Sequence, residues 1–82
     1  MSTVLFFGRT ADRLGRSREV EIPAEGFSVG DLRARLIAAD DAARDALDRP
    51  DVRASIDRII VDEGAQIAPG QEIAFFSIFS GG

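Results

Sequence analysis

The sequence predicts an α+β domain in which one main helix packs on a mixed β-sheet, and three observations carry that expectation. Apolar runs at residues 4–7 and 72–79 read as strands near the two ends of the chain. A stretch opening at Ser28-Val29-Gly30-Asp31 repeats apolar residues at helical spacing. The chain between the two apolar runs is long enough for a crossover, so the runs would pair in parallel at the sheet centre.

Each element has a local cause. Val4-Leu5-Phe6-Phe7 is a short apolar run ending at Gly8, the pattern of a strand buried on both faces. Residues 9–15 are polar, with Ala11 and Leu14 three apart, and predict a helical turn or loop closing at Gly15. Glu19-Val20-Glu21-Ile22 alternates charged and apolar residues before Pro23, as a strand with one wet face would. Ser28 supplies an N-cap and Asp31, three residues later, approximates a capping box. Leu32, Leu36 and Ala39 then form the helix stripe, with Arg33, Arg35 and Asp40 off it. A weaker helical stretch covers residues 41–49 and stops before Pro50. Val52-Arg53-Ala54-Ser55-Ile56 alternates again, and Asp57-Arg58 turns the chain into the short strand Ile59-Ile60-Val61. After a turn at Asp62-Glu63-Gly64, Ala68-Pro69-Gly70-Gln71 has Pro and Gly where a type II turn wants them. The final strand, residues 72–79, is apolar on both faces. Strand, strand, helix, short helix, strand, short strand, strand, with the outer pair parallel, is a β-grasp arrangement.

Composition narrows the chemistry. The 82 residues make a single domain, 1–82, with a flexible tail at residues 80–82. There is neither Cys nor His, which excludes thiolate metal sites and a cysteine nucleophile and removes the commonest general base. A self-contained hydrolase or metalloenzyme is not expected; the chain is not an enzyme by itself. The basic residues are all Arg, and a formal charge of −4 with a pI near 4.6 makes nucleic acid and anionic membrane poor partners. With no Lys, no side-chain amine of the protein can accept an isopeptide bond. The start lacks a signal-peptide pattern, and no apolar run is long enough to span a bilayer, so a cytoplasmic location is expected. Asp40, Asp41, Asp45 and Asp48 lack the spacing of a calcium loop and read as the wet side of the weak helix. Arg9, Arg13, Arg16 and Arg18 read as a solvated basic face.

The most informative residues are Ser80-Gly81-Gly82, directly after the last apolar strand. Two residues without Cβ atoms leave a thin, permissive backbone that a narrow active site could accept, with the main-chain carboxylate as the reacting group. That carboxylate is ionised at neutral pH and a poor electrophile, so it needs activation. Phe75, Phe76 and Phe79 lie next to the tail. Alternation puts Phe76 with Ile78 on one face and Phe75 with Phe79 on the other, leaving one set for the core and one for a partner.

With these pieces in place, the chain resembles the ubiquitin-like sulfur carriers, and most closely the small subunit of molybdopterin synthase, the MoaD family, over essentially its whole length. The matching segments are Val4-Leu5-Phe6-Phe7-Gly8, Ser28-Val29-Gly30-Asp31-Leu32, Val52-Arg53-Ala54-Ser55-Ile56-Asp57, Pro69-Gly70-Gln71-Glu72-Ile73-Ala74-Phe75 and Ser80-Gly81-Gly82. The last two are the specific ones. The chain departs from the family at Asp57, where Asn is frequent, at Gln71, where an acidic residue is frequent, and at Ser77-Ile78, where a proline pair is common.

The resemblance implies that a ubiquitin-activating-like adenylyltransferase uses ATP to adenylate Gly82, and that sulfur from a donor protein converts it to a thiocarboxylate. That sulfur would pass to a cyclic pyranopterin phosphate on the large synthase subunit, two loaded carriers building one dithiolene. Gly81 would give the tail its flexibility, and Phe75, Phe79 and Ser80 would contact partners. No cofactor would be bound by the chain itself, and a heterotetramer of two small and two large subunits is expected. A protein modifier joined through Gly82, a carrier for thiazole or another metabolite, and an adaptor without tail chemistry are the alternatives.

Overall fold

In the computed structural model, which describes residues 2–78, strand β1 (Ser2–Phe6) pairs in parallel with β7 (Ile73–Ser77), with Val4 opposite Ile73 and Phe6 opposite Phe75. Strand β2 (Ser17–Val20) adds antiparallel to β1 on the outside. On the other side of β7 lie β4 (Val52–Ile56) and the edge strand β5 (Ile59–Val61), both antiparallel to their neighbours. The order β2-β1-β7-β4-β5 puts both predicted end strands inside the sheet, and the fold is the expected β-grasp. Among the described residues no helix is long and apolar enough to cross a membrane.

Among the described residues three helices cover one face. Helix α1 (Arg9–Leu14) follows β1, α2 (Val29–Ala39) is the main helix, and α3 (Asp41–Leu47) is the short one. The capping box at the start of α2 is complete: the Asp31 amide donates to Ser28 Oγ at 3.0 Å, and the Ser28 amide donates to Asp31 Oδ2 at 3.2 Å. These bonds satisfy two of the donors that every helix start leaves open. Inward-facing Val4, Phe6, Ala54, Ile56, Ile73 and Phe75 meet Leu32, Leu36, Ala43 and Leu47 in one apolar cluster.

Several expectations move. Strand β2 was expected at residues 19–22 and lies at Ser17–Val20, because the partner strand runs out at Ser2, opposite Val20. Residues 9–15, expected as a helical turn or loop, contain a helix, tied down by Thr10. The buried Thr10 hydroxyl lies 2.6 Å from the Phe7 carbonyl oxygen and 3.2 Å from that of Phe75, binding α1 to the sheet. A further two-stranded ladder, β3 (Phe27–Ser28) with β6 (Gln66–Ile67), is too short to show in the sequence. Arg33, placed off the helix stripe, is largely covered: it donates to the carbonyls of Leu47 and Val52 and lies 5.4 Å from the centre of the Phe75 ring. Its length lets the charge reach the ends of α3 and β4 while the stem lies along apolar surface. The two-residue hairpin between β4 and β5 places Asp57 and Arg58 at φ +49° and +73°, the conformation a type I′ turn requires.

Candidate functional site

The C-terminal end of β7 is the focus of the site. Because β7 lies between β1 and β4, the chain leaves the sheet from its middle. The Ile78 amide donates to the Asp51 carbonyl oxygen at 2.9 Å, and Ser77 Oγ donates to Asp51 Oδ2 at 2.7 Å. Arg49 Nε stands 3.4 Å from Asp51 Oδ1. The hydrogen bond from Ser77, followed by a backbone amide and Arg49, holds the Asp51 carboxyl below its ordinary value. Beside these residues a cleft of about 180 Å³ is lined by Arg9, Asp12, Arg13, Arg49 and Asp51.

The predicted site residues divide. Phe79, Ser80, Gly81 and Gly82 lie outside the described residues. Phe75, expected at a partner surface, is 0% exposed and is a correction. It stacks on Phe6 with ring centroids 6.2 Å apart, under the Arg33 guanidinium. The partner of β7 in that register is Phe6, whose side chain points to the helices, so Phe75 must point there too.

Alternation then turns Phe76 and Ile78 to the opposite, helix-free face, where Ile78 is exposed and Phe76 half-buried. Leu5, Ala74, Ser55 and Ile60 form one row across that face, following the strand register. Phe7 continues the face one residue past β1; it is 52% exposed and Ile60 is 68% exposed. The first apolar run is therefore not buried on both faces: Val4 and Phe6 go in, while Leu5 and Phe7 go out. Phe7, Gly8, Ala11 and Leu5 border a shallow apolar depression. An apolar surface of this kind, continuous with the strand from which the tail departs, suits a protein partner better than a small molecule. Sequence reasoning passed over Phe7 and Ile60; strict period-2 phasing from buried Phe6 is the signal that locates Phe7.

The charged residues serve the fold. Arg18 pairs with Asp40 at 2.7 Å, and Arg13 with Asp45 at 3.3 Å. Asp40 also caps α3 by accepting from the Ala42 amide, and the Arg18 bond, then this cap, hold its carboxyl below the ordinary value. Arg13 and Arg18 are thus ion-paired rather than a purely solvated basic face. No group of acidic side chains that could hold a metal ion occurs among the described residues.

Comparison with known proteins adds to this geometry. A family model described as the ThiS family matches residues 4–82. No curated protein matches the sequence. In fold the chain is similar to small archaeal modifier protein 1 from Haloferax volcanii, with a TM-score of 0.79 and 24% identity over 99% of this chain and 98% of that one. A second structure of the small archaeal modifier protein 1 gives a TM-score of 0.77 and 21% identity over 93% and 94% of the two chains. It is also similar to a candidate molybdopterin converting factor, subunit 1, from Pyrococcus furiosus, with a TM-score of 0.68 and 19% identity over 93% and 94%. At these identities the likeness establishes a shared fold.

Proposed function

The chain belongs to the ThiS family of ubiquitin-like sulfur carriers, and from that premise we propose that it is the sulfur-carrying small subunit of a molybdopterin synthase. The observation that carries the reading is that the family match runs through residue 82 and so takes in Gly81-Gly82. The fold shared with a candidate molybdopterin converting factor subunit supports a pyranopterin as the acceptor.

In this reading the Gly82 carboxylate attacks ATP on a ubiquitin-activating-like adenylyltransferase, releasing pyrophosphate and leaving an acyl adenylate. Sulfide supplied by a donor protein displaces AMP and leaves a thiocarboxylate, whose sulfur passes to a cyclic pyranopterin phosphate on a large synthase subunit as water cleaves the acyl carbon–sulfur bond and returns the Gly82 carboxylate. The apolar sheet face of Phe7, Ile60, Phe76 and Ile78 docks these partners, with Phe79 and Ser80 extending the contact toward the tail. Gly81 lets the reacting carbonyl enter successive active sites, where a misplacement of about an ångström costs roughly a hundredfold in rate.

Incubation with activating enzyme, ATP and a sulfur donor should convert the C-terminus to a thiocarboxylate visible by intact mass. Gly82→Ala should fold normally and fail to load or to transfer sulfur. Full complementation by that variant, in cells that cannot make the cofactor, would exclude the proposal.

The fold shared with the small archaeal modifier favours a second reading, in which Gly82 is joined to amines of target proteins. Covalent adducts carrying this chain in cell extracts would select it. The absence of Lys confines the protein to single additions through side chains, because one copy offers the next no side-chain amine.

A further inference from the structure

We propose that the free edge of β5 pairs with the same strand of a second copy of this chain, antiparallel and centred on Ile60; the inference stands apart from the sulfur-carrier reading. Ile59 and Ile60 are the most exposed large apolar side chains among the described residues, each 68% exposed. As strand neighbours they point to opposite faces of the sheet. Ile59 lies opposite the core residue Ile56, and Ile60 lies opposite Ser55 on the helix-free face. A partner docked on the helix-free face would cover Ile60 and leave Ile59 bare, whereas a strand added at the edge meets both. That edge is undefended: residues 59–61 carry neither a proline nor a charge, the usual devices against strand addition. The opposite edge, β2, carries Arg18 and Glu19.

The sheet ladder fixes which main-chain groups are open. The Asp57 amide donates to the Glu72 carbonyl oxygen at 2.8 Å, and the Ile78 amide to that of Asp51 at 2.9 Å. By alternation Arg53 and Ser55 bond toward β7, and Ala54 and Ile56 toward β5. Val61 and Ile59, which face Ala54 and Ile56, therefore spend their main-chain groups on β4, and the amide and carbonyl of Ile60 face outward. Two copies related by a twofold axis at Ile60 would exchange two hydrogen bonds, each Ile60 amide donating to the other Ile60 carbonyl. The same register sets Ile59 against Val61 of the second copy and Arg58 against Asp62 of the second copy, and the twofold repeats both contacts. Arg58 and Asp62 are exposed, and neither has an ion pair among the described residues. Opposite charges at facing positions favour this register. One step further out Asp57 would face Glu63, but Asp57 already accepts from the Glu72 amide and Glu63 already pairs with Arg33, each at 2.9 Å. The Asp62 carbonyl is taken by the Ala65 amide at 3.2 Å, so the new ladder is short. A contact well below the roughly 1,200 Å² of a standard interface suits a weak dimer, with Kd on the order of 0.1–1 mM.

The test follows sedimentation and amide hydrogen exchange of the full chain from about 0.02 to 2 mM protein, a range that brackets a weak dimer. The average mass should climb from 8.8 kDa toward twice that value. Exchange at the Ile60 amide should slow about threefold or more across the range, while the Ile59 amide, bonded to β4, stays constant. Arg58→Asp and Asp62→Arg each put like charges at both facing positions and should stay monomeric. Their equimolar mixture should associate again, because every facing position then joins an acid to an arginine. Should Asp62→Arg fail to fold for want of its bond to the Gly64 amide, Ile60→Pro serves in its place: it removes the outward N–H, leaves the β4–β5 ladder whole, and should fold and remain monomeric. A parent that stays at 8.8 kDa throughout would overturn the proposal. So would association that leaves Ile60 exchange unchanged, a folded Ile60→Pro that associates like the parent, or a mixture of the two folded charge variants that stays monomeric.

Discussion

Replacing Phe75 by Ala tests whether the last strand turns this ring to the core or to a partner. The ring is 0% exposed, stacks on Phe6 at 6.2 Å and underlies Arg33 at 5.4 Å, so its removal opens a void in the cluster and takes a neighbour from both Phe6 and Arg33. Buried Phe→Ala changes cost about 3–5 kcal/mol, and a fully buried site with an aromatic and a cationic neighbour belongs in the upper part of that range. A chain of 82 residues has a total stability of only about 4–12 kcal/mol. With a urea slope near 1 kcal/mol/M, the unfolding midpoint should fall by roughly 3 M or more. Equilibrium urea unfolding is the assay, with Phe75→Leu as a milder companion expected to cost about 1–2 kcal/mol if the Ala variant does not fold. A loss below about 1 kcal/mol in Phe75→Ala, accompanied by weakened partner binding, would refute the core assignment and restore Phe75 as an interface anchor.

The outer face should behave in the opposite way. Phe7→Thr and Ile60→Thr should leave stability within about 0.5 kcal/mol, as exposed positions usually do, yet weaken capture by the activating enzyme about tenfold or more, measured by titration calorimetry. Gly26→Ala should cost at least about 2 kcal/mol in thermal unfolding, because Gly26 sits at φ +77° and an added Cβ would lie 2.7 Å from the Ile67 carbonyl oxygen. Acid should destabilise the protein through Asp40 and Asp51, whose folded pKa values lie below the ordinary 3.8. For depressed carboxyls the stabilisation is fully present above the unfolded value and is lost as pH falls through the folded one. The stability attributable to these groups should therefore stay level down to about pH 5 and decline below about pH 4. Arg18→Ala, which removes the largest cause of the Asp40 shift, should make that decline shallower in unfolding curves measured against pH.

Most of the fold is legible because its signals are local. Ser28 and Asp31 announce the start of α2, Pro69-Gly70 the turn into β7, and the alternation of residues 52–56 the strand β4. The β3–β6 ladder is not legible, since two residues per strand give no period and the pairing is set by tertiary contact. The face of each central strand was readable only in part. Val4-Leu5-Phe6-Phe7 looks uniformly apolar, and only the parallel pairing of Phe6 with Phe75 fixes which residues turn inward. That same pairing decides against Phe75 and for Phe7, Phe76 and Ile78 as the exposed apolar surface. Asp51 was invisible for a different reason: its partners Ser77 and Ile78 are distant in sequence and carry no motif. The reacting glycines were the easiest feature to find, because their chemistry depends on the main chain and on the absence of a side chain rather than on a folded arrangement.

The most direct test of sulfur carriage is the intact mass of the protein after incubation with an activating enzyme, ATP and a sulfur donor, with fragmentation to locate any change. The expected result is a gain equal to exchanging one oxygen for sulfur, confined to Gly82 and absent when ATP is withheld. A terminus that remains an unmodified carboxylate, with an activating enzyme shown to load another carrier of this fold, would contradict it.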